Sequence, residues 1–539
     1  MKKRLLSVLI LLPLIISACN GNNSKEKPIV DNSGFKNIND TEPFEIHTDE
    51  QKTFLEYTGS YAKMDKSLFP NGKSHLSDSK PIELTWNYDL PAGKEVAKYS
   101  VKFGQEKDLS DGYTVESTEK EDKISFYNPY LGRNYYQLTA TFTDGSTDQT
   151  PIRHFEVNST YPRNLTIAGM TNCRDIGGRT LADGGRIKQG LIYRTSGKNQ
   201  NGSLTAATTE EMVGHLKVKN EINLADSTSY NLKLDGVPVN ADCMMDTSST
   251  GGYSHISRNT EAVKNFFDFI ADENNYPVFY HCKIGTDRTG VCTILLTGLL
   301  GVSYNEIYQD YLFSNFGKIG EQRTIGDGNS HDIRKYMDDF LKYSGEKFQN
   351  KVYNVLLGIG VSKENLDKII NNLTEGTPAK GNDAGQIIGT GNLLVGNGVT
   401  VSTTTVVDKK NPENYFVLDS DSKSVSYTFE AKKAYTGQVI AYLGNPDAST
   451  SKKIADAISC SLDNNAIQML DQTYYDARMG KCTVSGSSRT NYWPVILGTV
   501  DLAKGNHTLT ITGSSNSMNL AGIYIFDNAT AGGTNGFED

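Results

Sequence analysis

The sequence predicts a multidomain chain, with an α/β domain built on a central, mostly parallel sheet and an all-β sandwich on either side of it. Three observations lead there. The chain has 539 residues, several times what one hydrophobic core organises. Residues 78–158 and 393–528 carry short runs in which apolar and polar residues alternate, the period of a half-buried strand. Residues 159–377 alternate β-prone runs with apolar positions at helical spacing, the pattern of parallel strands joined through helices.

Composition narrows the functional classes. Gly 50 and Tyr 29 with 22% charged residues suit an extracellular, strand-rich protein. The formal net charge is −9 and no basic block stands out, so no nucleic-acid partner is expected. Met1 to Arg4 is basic, and residues 5–16 are apolar but too short to span a bilayer comfortably. Ile16-Ser17-Ala18-Cys19 then resembles a bacterial lipoprotein cleavage box. That resemblance implies a signal peptide over 1–19 and lipidation of Cys19. It places the protein on the extracellular side of a bacterial cell membrane, with lipid as the only anchor.

Residues 20–77 are polar and aperiodic and read as a tether, although Phe54, Tyr57, Tyr61 and Phe69 provide for some local structure. In 78–158, residues 82–86, 99–103 and 136–142 alternate cleanly, and Asp144-Gly145 supplies a turn. Trp86, with Leu131 and Tyr136 ahead of a late strand, resembles a fibronectin type III or related immunoglobulin-like module, with Trp86 as a core residue. In 159–377, periodic apolar positions predict helices at about 206–216, 260–273, 288–300, 304–314, 331–344 and 362–373.

The most informative stretch of that domain is His281-Cys282-Lys283-Ile284-Gly285-Thr286-Asp287-Arg288-Thr289-Gly290. A β-prone run precedes it and a long apolar segment follows, so the order is strand, tight loop, helix. That order aims loop N–H groups and the positive end of a helix dipole at one point, where an anion would sit against the Cys282 sulfur. Arg288 offers a planar fork that matches two phosphate oxygens. A thiol in such a field ionises more readily and becomes a nucleophile. His281 can fix the loop, the Thr289 hydroxyl can hydrogen-bond the sulfur, and Gly285 lets backbone approach the oxygens.

The pattern resembles the signature loop of the cysteine-dependent protein tyrosine phosphatase superfamily, His-Cys, five residues, Arg, Ser or Thr, Gly. Asn172-Cys173-Arg174-Asp175-Ile176-Gly177-Gly178 and Tyr193-Arg194-Thr195-Ser196 resemble its bacterial branch, which includes tyrosine, dual-specificity and phosphoinositide phosphatases. The resemblance implies a phosphomonoester hydrolase working through phosphocysteine, with no cofactor and no metal. It implies phosphate binding by Lys283, Ile284, Gly285, Thr286, Asp287 and Arg288, with Arg174, Asp175 and Arg194 in support. Asn223 and Ala225 stand where the branch often has Asp and Arg, so a common ion pair is expected to be missing.

The leaving oxygen also needs a proton. Asp287 is one candidate acid, unless it only fixes Arg288 or the loop. Asp242 and Asp246, upstream of the loop, are the alternatives. Lys283, next to the nucleophile, suits a polyanionic substrate such as a phosphoinositide or inositol phosphate. Phosphotyrosine or phosphoserine proteins and peptides are the first expectation for the substrate, with the phosphoinositide or inositol phosphate as the alternative.

Residues 378–392 read as a linker, 393–528 as the second sandwich and 529–539 as a tail. The run from Leu497 to Leu509 resembles galactose-binding-like carbohydrate-binding modules, and Trp493, Tyr492, Tyr474 and Tyr475 are the aromatic candidates for glycan contact. Cys460 and Cys482 can pair as a disulfide outside the cell, whereas Cys282 must stay a free thiol. A reading of another class is also open, that of a glycan-binding surface lipoprotein with an inert phosphatase-like core.

Overall fold

The computed structural model describes residues 30–117, 121–181, 185–245, 259–327, 331–334, 348–376, 385–390, 399–401, 405–407, 414–446, 452–469, 473–474, 481–484, 487–490 and 492–527. Alternation produces strands where it is cleanest. Val96–Gly104 pairs antiparallel with Tyr113–Ser117 and with Gly132–Phe142, and Ile82–Thr85 pairs with Lys123–Phe126. Their inward residues, including Trp86, Val101, Tyr136 and Leu138, are buried in one core. Phe35–Lys36 pairs with Asn87–Tyr88 and sets the Phe35 ring edge-on to Trp86, centroids 5.5 Å apart.

The tether expected over 20–77 needs correction for its described part. Phe35, Ile38 and Ile46 belong to the first core. Helix Asp49–Leu55 begins at a capping box between Thr48 and Gln51. It buries Phe54 against Phe313 and Phe316 of the central domain, centroids 6.2 and 5.5 Å away. Tyr61 and Phe69 join the same core. The widely spaced aromatics of this polar segment, each with a large apolar area to bury, dock it on both cores.

The central sheet runs Arg174–Asp175, Ile192–Thr195, Val278–His281, Asn220–Asn223, Val239–Asn240 in spatial order. Only the first pair is antiparallel. Val278–His281 lies in the middle, and all four of its residues are buried. Helices Thr260–Ile270, Asp287–Leu299, Tyr304–Phe313 and Lys363–Leu373 form close to where periodicity places them. The segment expected at 206–216 starts as an α-helix over Ala206–Thr209 and continues as π turns over Glu210–His215. Most of 331–344 lies outside the described residues. Helix Phe348–Gly358 was not expected from the pattern. Its polar residues Gln349, Lys351 and Asn354 are buried too, so no polar face betrays it.

Among the described residues, the C-terminal region holds two large antiparallel sheets, of six and five strands, and two two-stranded ones. Strand Gly385–Thr390 falls inside the expected linker, yet it pairs with Met518–Asp527. Trp493 and Tyr492 are each 3% exposed, so neither is the open stacking platform a glycan would need. They lie at the start of strand Tyr492–Leu502, where the Tyr492 carbonyl accepts from the Thr260 hydroxyl of the central domain. Cys460 is a free, buried thiol that burial pushes up to about 12; the side chain of Cys482, its expected partner, lies outside the described residues. Cys19 lies outside the described residues. Among the described residues, no helix is long and apolar enough to cross a membrane.

Candidate active site

The central strand ends at His281, and the chain turns through Cys282 to Thr286 before helix Asp287–Leu299 begins. Gly285 has φ +71°, and a Cβ there would collide with the Thr195 backbone, so the turn requires glycine. Loop carbonyls are tied outward. Gly197 N–H donates to Lys283 O (2.9 Å), and Gly285 O accepts from Asn172 Nδ2 (3.0 Å) and Arg194 Nη2 (2.7 Å). The N–H groups at a helix start have no intrahelical partners, which leaves this end suited to an anion.

Cys282 is 2% exposed. Burial pushes its thiol up, but the Arg288 charge and hydrogen bonds from the Thr289 hydroxyl and N–H outweigh burial and leave it below the ordinary thiol range. Burial pushes the thiols of Cys173, Cys243 and Cys292 up instead. His281 is fixed at both nitrogens, Nδ1 2.9 Å from Cys282 O and Nε2 2.9 Å from Glu221 Oε1.

The support under the loop centres on Asp310 of helix Tyr304–Phe313. Its buried carboxylate accepts from Arg174 Nε (2.9 Å) and Arg194 Nη1 (2.8 Å), with Arg179 Nη2 at 3.8 Å. Arg194 continues to Gly285 O, and Arg174 continues through the Asn172 side chain to Gly285 O and the Thr286 hydroxyl. Asp175 points away from this group, because neighbours on a strand face opposite sides. It pairs with buried Arg163 (2.9 Å) and accepts from the N–H groups of Gly177 and Gly190. Arg174 and Arg194 are therefore structural neighbours of the loop, while Asp175 serves a separate buried pair.

The acid candidates separate. Asp287 is locked in a two-pronged pair with Arg323, both contacts 3.0 Å, and His331 Nδ1 is 3.3 Å away. Burial pushes its carboxyl up, but His331 and Arg323 prevail and hold it well below the usual carboxylate range. These contacts suit the alternative expectation for Asp287, that of fixing the loop, better than the acid role. No residue near Asp287 in sequence announced Arg323, 36 positions away. Asp242 is exposed, and Asp246 lies outside the described residues. Asp226 was missed altogether. Its Oδ1 is 3.2 Å from Arg288 Nη1, which also faces Met245 O at 3.4 Å. Lys283 is exposed, with Nζ 5.9 Å from the centre of the Tyr230 ring. Among the described residues, no group of His, Cys, Asp and Glu side chains is arranged to hold a metal ion.

This geometry belongs to a stretch with relatives. Residues 165–375 match the family model described as the tyrosine phosphatase family. A Cupriavidus necator protein named as a tyrosine-protein phosphatase is 25% identical, over 28% of this chain and 63% of its own length. Two solved structures are more distant. The core catalytic domain of the PP-IP phosphatase SIW14 from S. cerevisiae is 18% identical, over 28% of this chain and 81% of its own, with TM-score 0.20. A family 35 carbohydrate binding module from an environmental isolate is 13% identical, over 25% and 90%, with TM-score 0.18.

Proposed function

We propose that the protein hydrolyses phosphomonoesters through a phosphocysteine at Cys282. The observation that carries this reading is Cys282 buried between the end of the central strand and the start of helix Asp287–Leu299, with Arg288 in the first turn of that helix; the Arg288 charge favours the thiolate there. The match of residues 165–375 to the tyrosine phosphatase family supports it. Arg288 and the loop N–H groups hold the phosphoryl oxygens. The Cys282 thiolate forms an S–P bond as the P–O bond to the leaving group breaks, its electron pair going to that oxygen, which takes a proton from an acid. Water then attacks phosphorus, the S–P bond breaks back to thiolate, and phosphate leaves. Turnover of a generic aryl phosphate tests this: Cys282→Ser is expected to abolish it, and equal turnover by the variant would sink the reading.

Phosphotyrosine or phosphoserine proteins are the first substrate class. A phosphoinositide or inositol phosphate is the second reading, favoured by exposed Lys283 beside Tyr230 at the loop. A panel of both classes separates them: the second reading expects Lys283→Ala to shift the preference toward phosphopeptides, and an unchanged preference overturns it. We propose lipid anchoring at Cys19 from the N-terminal pattern alone; loss of membrane retention in Cys19→Ala tests it. Glycan binding by the C-terminal sheets is proposed on the Leu497 to Leu509 resemblance, without Trp493 or Tyr492 as platforms; a glycan array probed with the whole protein tests it.

A further inference from the structure

We infer that Asp226 is the proton donor to the leaving oxygen and, before substrate arrives, the counter-charge that covers Arg288. The inference rests on the phosphocysteine reading above. Strand Asn220–Asn223 runs parallel to the nucleophile strand, with Asn223 opposite His281, and Leu224 N–H donates to His281 O at 2.7 Å. The chain leaves that strand end into a turn that Asn223 builds. Its Oδ1 accepts from Ala225 N–H (2.7 Å) and its Nδ2 donates to Ser227 O (3.0 Å). Asp226 sits between those two contacts. Asn223 and Ala225 are the positions where the expected Asp and Arg are missing, so the turn is held by an amide and the carboxylate that meets the site is Asp226.

Three features suit it to the role. Its side chain is 44% exposed, whereas Asp287 and Asp310 are 15% and 4% exposed and are bound to arginines other than Arg288. It contacts Arg288, the residue that would clamp phosphate, at 3.2 Å. It lies at the carboxyl end of a parallel strand adjacent to the nucleophile strand, where ligands bind in such sheets. A phosphate that takes both prongs of Arg288 displaces Asp226 from the guanidinium and places negative charge beside it, which favours the protonated carboxyl. The proton passes to the leaving oxygen as the P–O bond breaks. The resulting carboxylate then takes a proton from the water that attacks phosphocysteine, so the acid is restored each turnover.

The test compares a nitrophenyl phosphate, whose leaving group needs no proton, with a phenyl or alkyl phosphate, whose leaving group does. Asp226→Asn is expected to lower the single-turnover rate of leaving-group release from the second type by about 10²-fold or more, with the nitrophenol burst rate within a few-fold of wild type, which also reports that the variant is folded. An unchanged ratio between the two substrates overturns the inference. So does Asp246→Asn carrying the selective loss in place of Asp226→Asn. Cys282→Ser is run alongside. If it matches wild type, the phosphocysteine reading itself has failed; if it is inactive while the Asp226→Asn ratio is unchanged, only the Asp226 assignment falls.

Discussion

Asp287 and Asp226 show how little of a carboxylate's role lies in its sequence position. Asp287 stands beside the clamping arginine in the chain, yet Arg323 and His331 are the groups that hold it ionised. Asp226 is 62 residues from Arg288 and reaches its guanidinium. An acid that stays ionised cannot supply a proton, so Asp287→Asn is expected to slow aryl and alkyl phosphates by the same factor. A loss confined to poor leaving groups would return the acid role to Asp287. Cys282, Arg288, Thr289 and Gly285 were legible because one short loop carries all of them. Asp226, Asp310, Asn172 and Glu221 were not, because sheet register and buried pairing bring them to the loop.

At the scale of elements, the loop is held by the strands and helices that surround it. Asp310 on helix Tyr304–Phe313 ties Arg194 and Arg174 of two adjacent strands to the loop's carbonyl side. Removing one partner of a buried ion pair leaves uncompensated charge, so Asp310→Asn is expected to cost about 3–5 kcal/mol of stability at neutral pH. Burial pushes the Asp310 carboxyl up, but Arg174 and Arg194 hold it below the carboxylate range. Its folded value is therefore below its unfolded value. Its contribution is full above about pH 4 and is lost as pH falls toward the folded value. Urea unfolding followed from neutral to acid pH should show the wild type converging on Asp310→Asn as pH falls; a constant gap would contradict this. Strands and amphipathic helices were readable from period alone, while Phe348–Gly358 was hidden because its surroundings bury even its polar residues.

At the scale of the molecule, the family match begins at residue 165, but the packing that supports that stretch begins earlier. Phe54, Leu55, Tyr61 and Phe69 are part of the same core as Phe313 and Phe316. The Ser77 hydroxyl accepts from the N–H of Asn172, whose side chain belongs to the network under the loop. Phe54→Ala is expected to cost about 3–5 kcal/mol, read as a lower Tm that carries phosphatase activity down with it. Thermal loss of activity unaffected by the substitution would show the segment to be dispensable. On the other side, Tyr492 O and the Tyr442 hydroxyl bond the Thr260 hydroxyl at the first residue of helix Thr260–Ile270. Alternation made the C-terminal strands readable. It could not tell an outward aromatic from one buried against a neighbouring domain, which is why Trp493 and Tyr492 were misplaced.

The central claim is that phosphate passes through sulfur. Acid quenching during turnover of an aryl phosphate, followed by peptide mass spectrometry, reads it directly. The account predicts a phosphoryl group on the peptide containing Cys282, absent from Cys282→Ser. Full turnover with no phosphoryl group on Cys282, matched by turnover in Cys282→Ser, would contradict it.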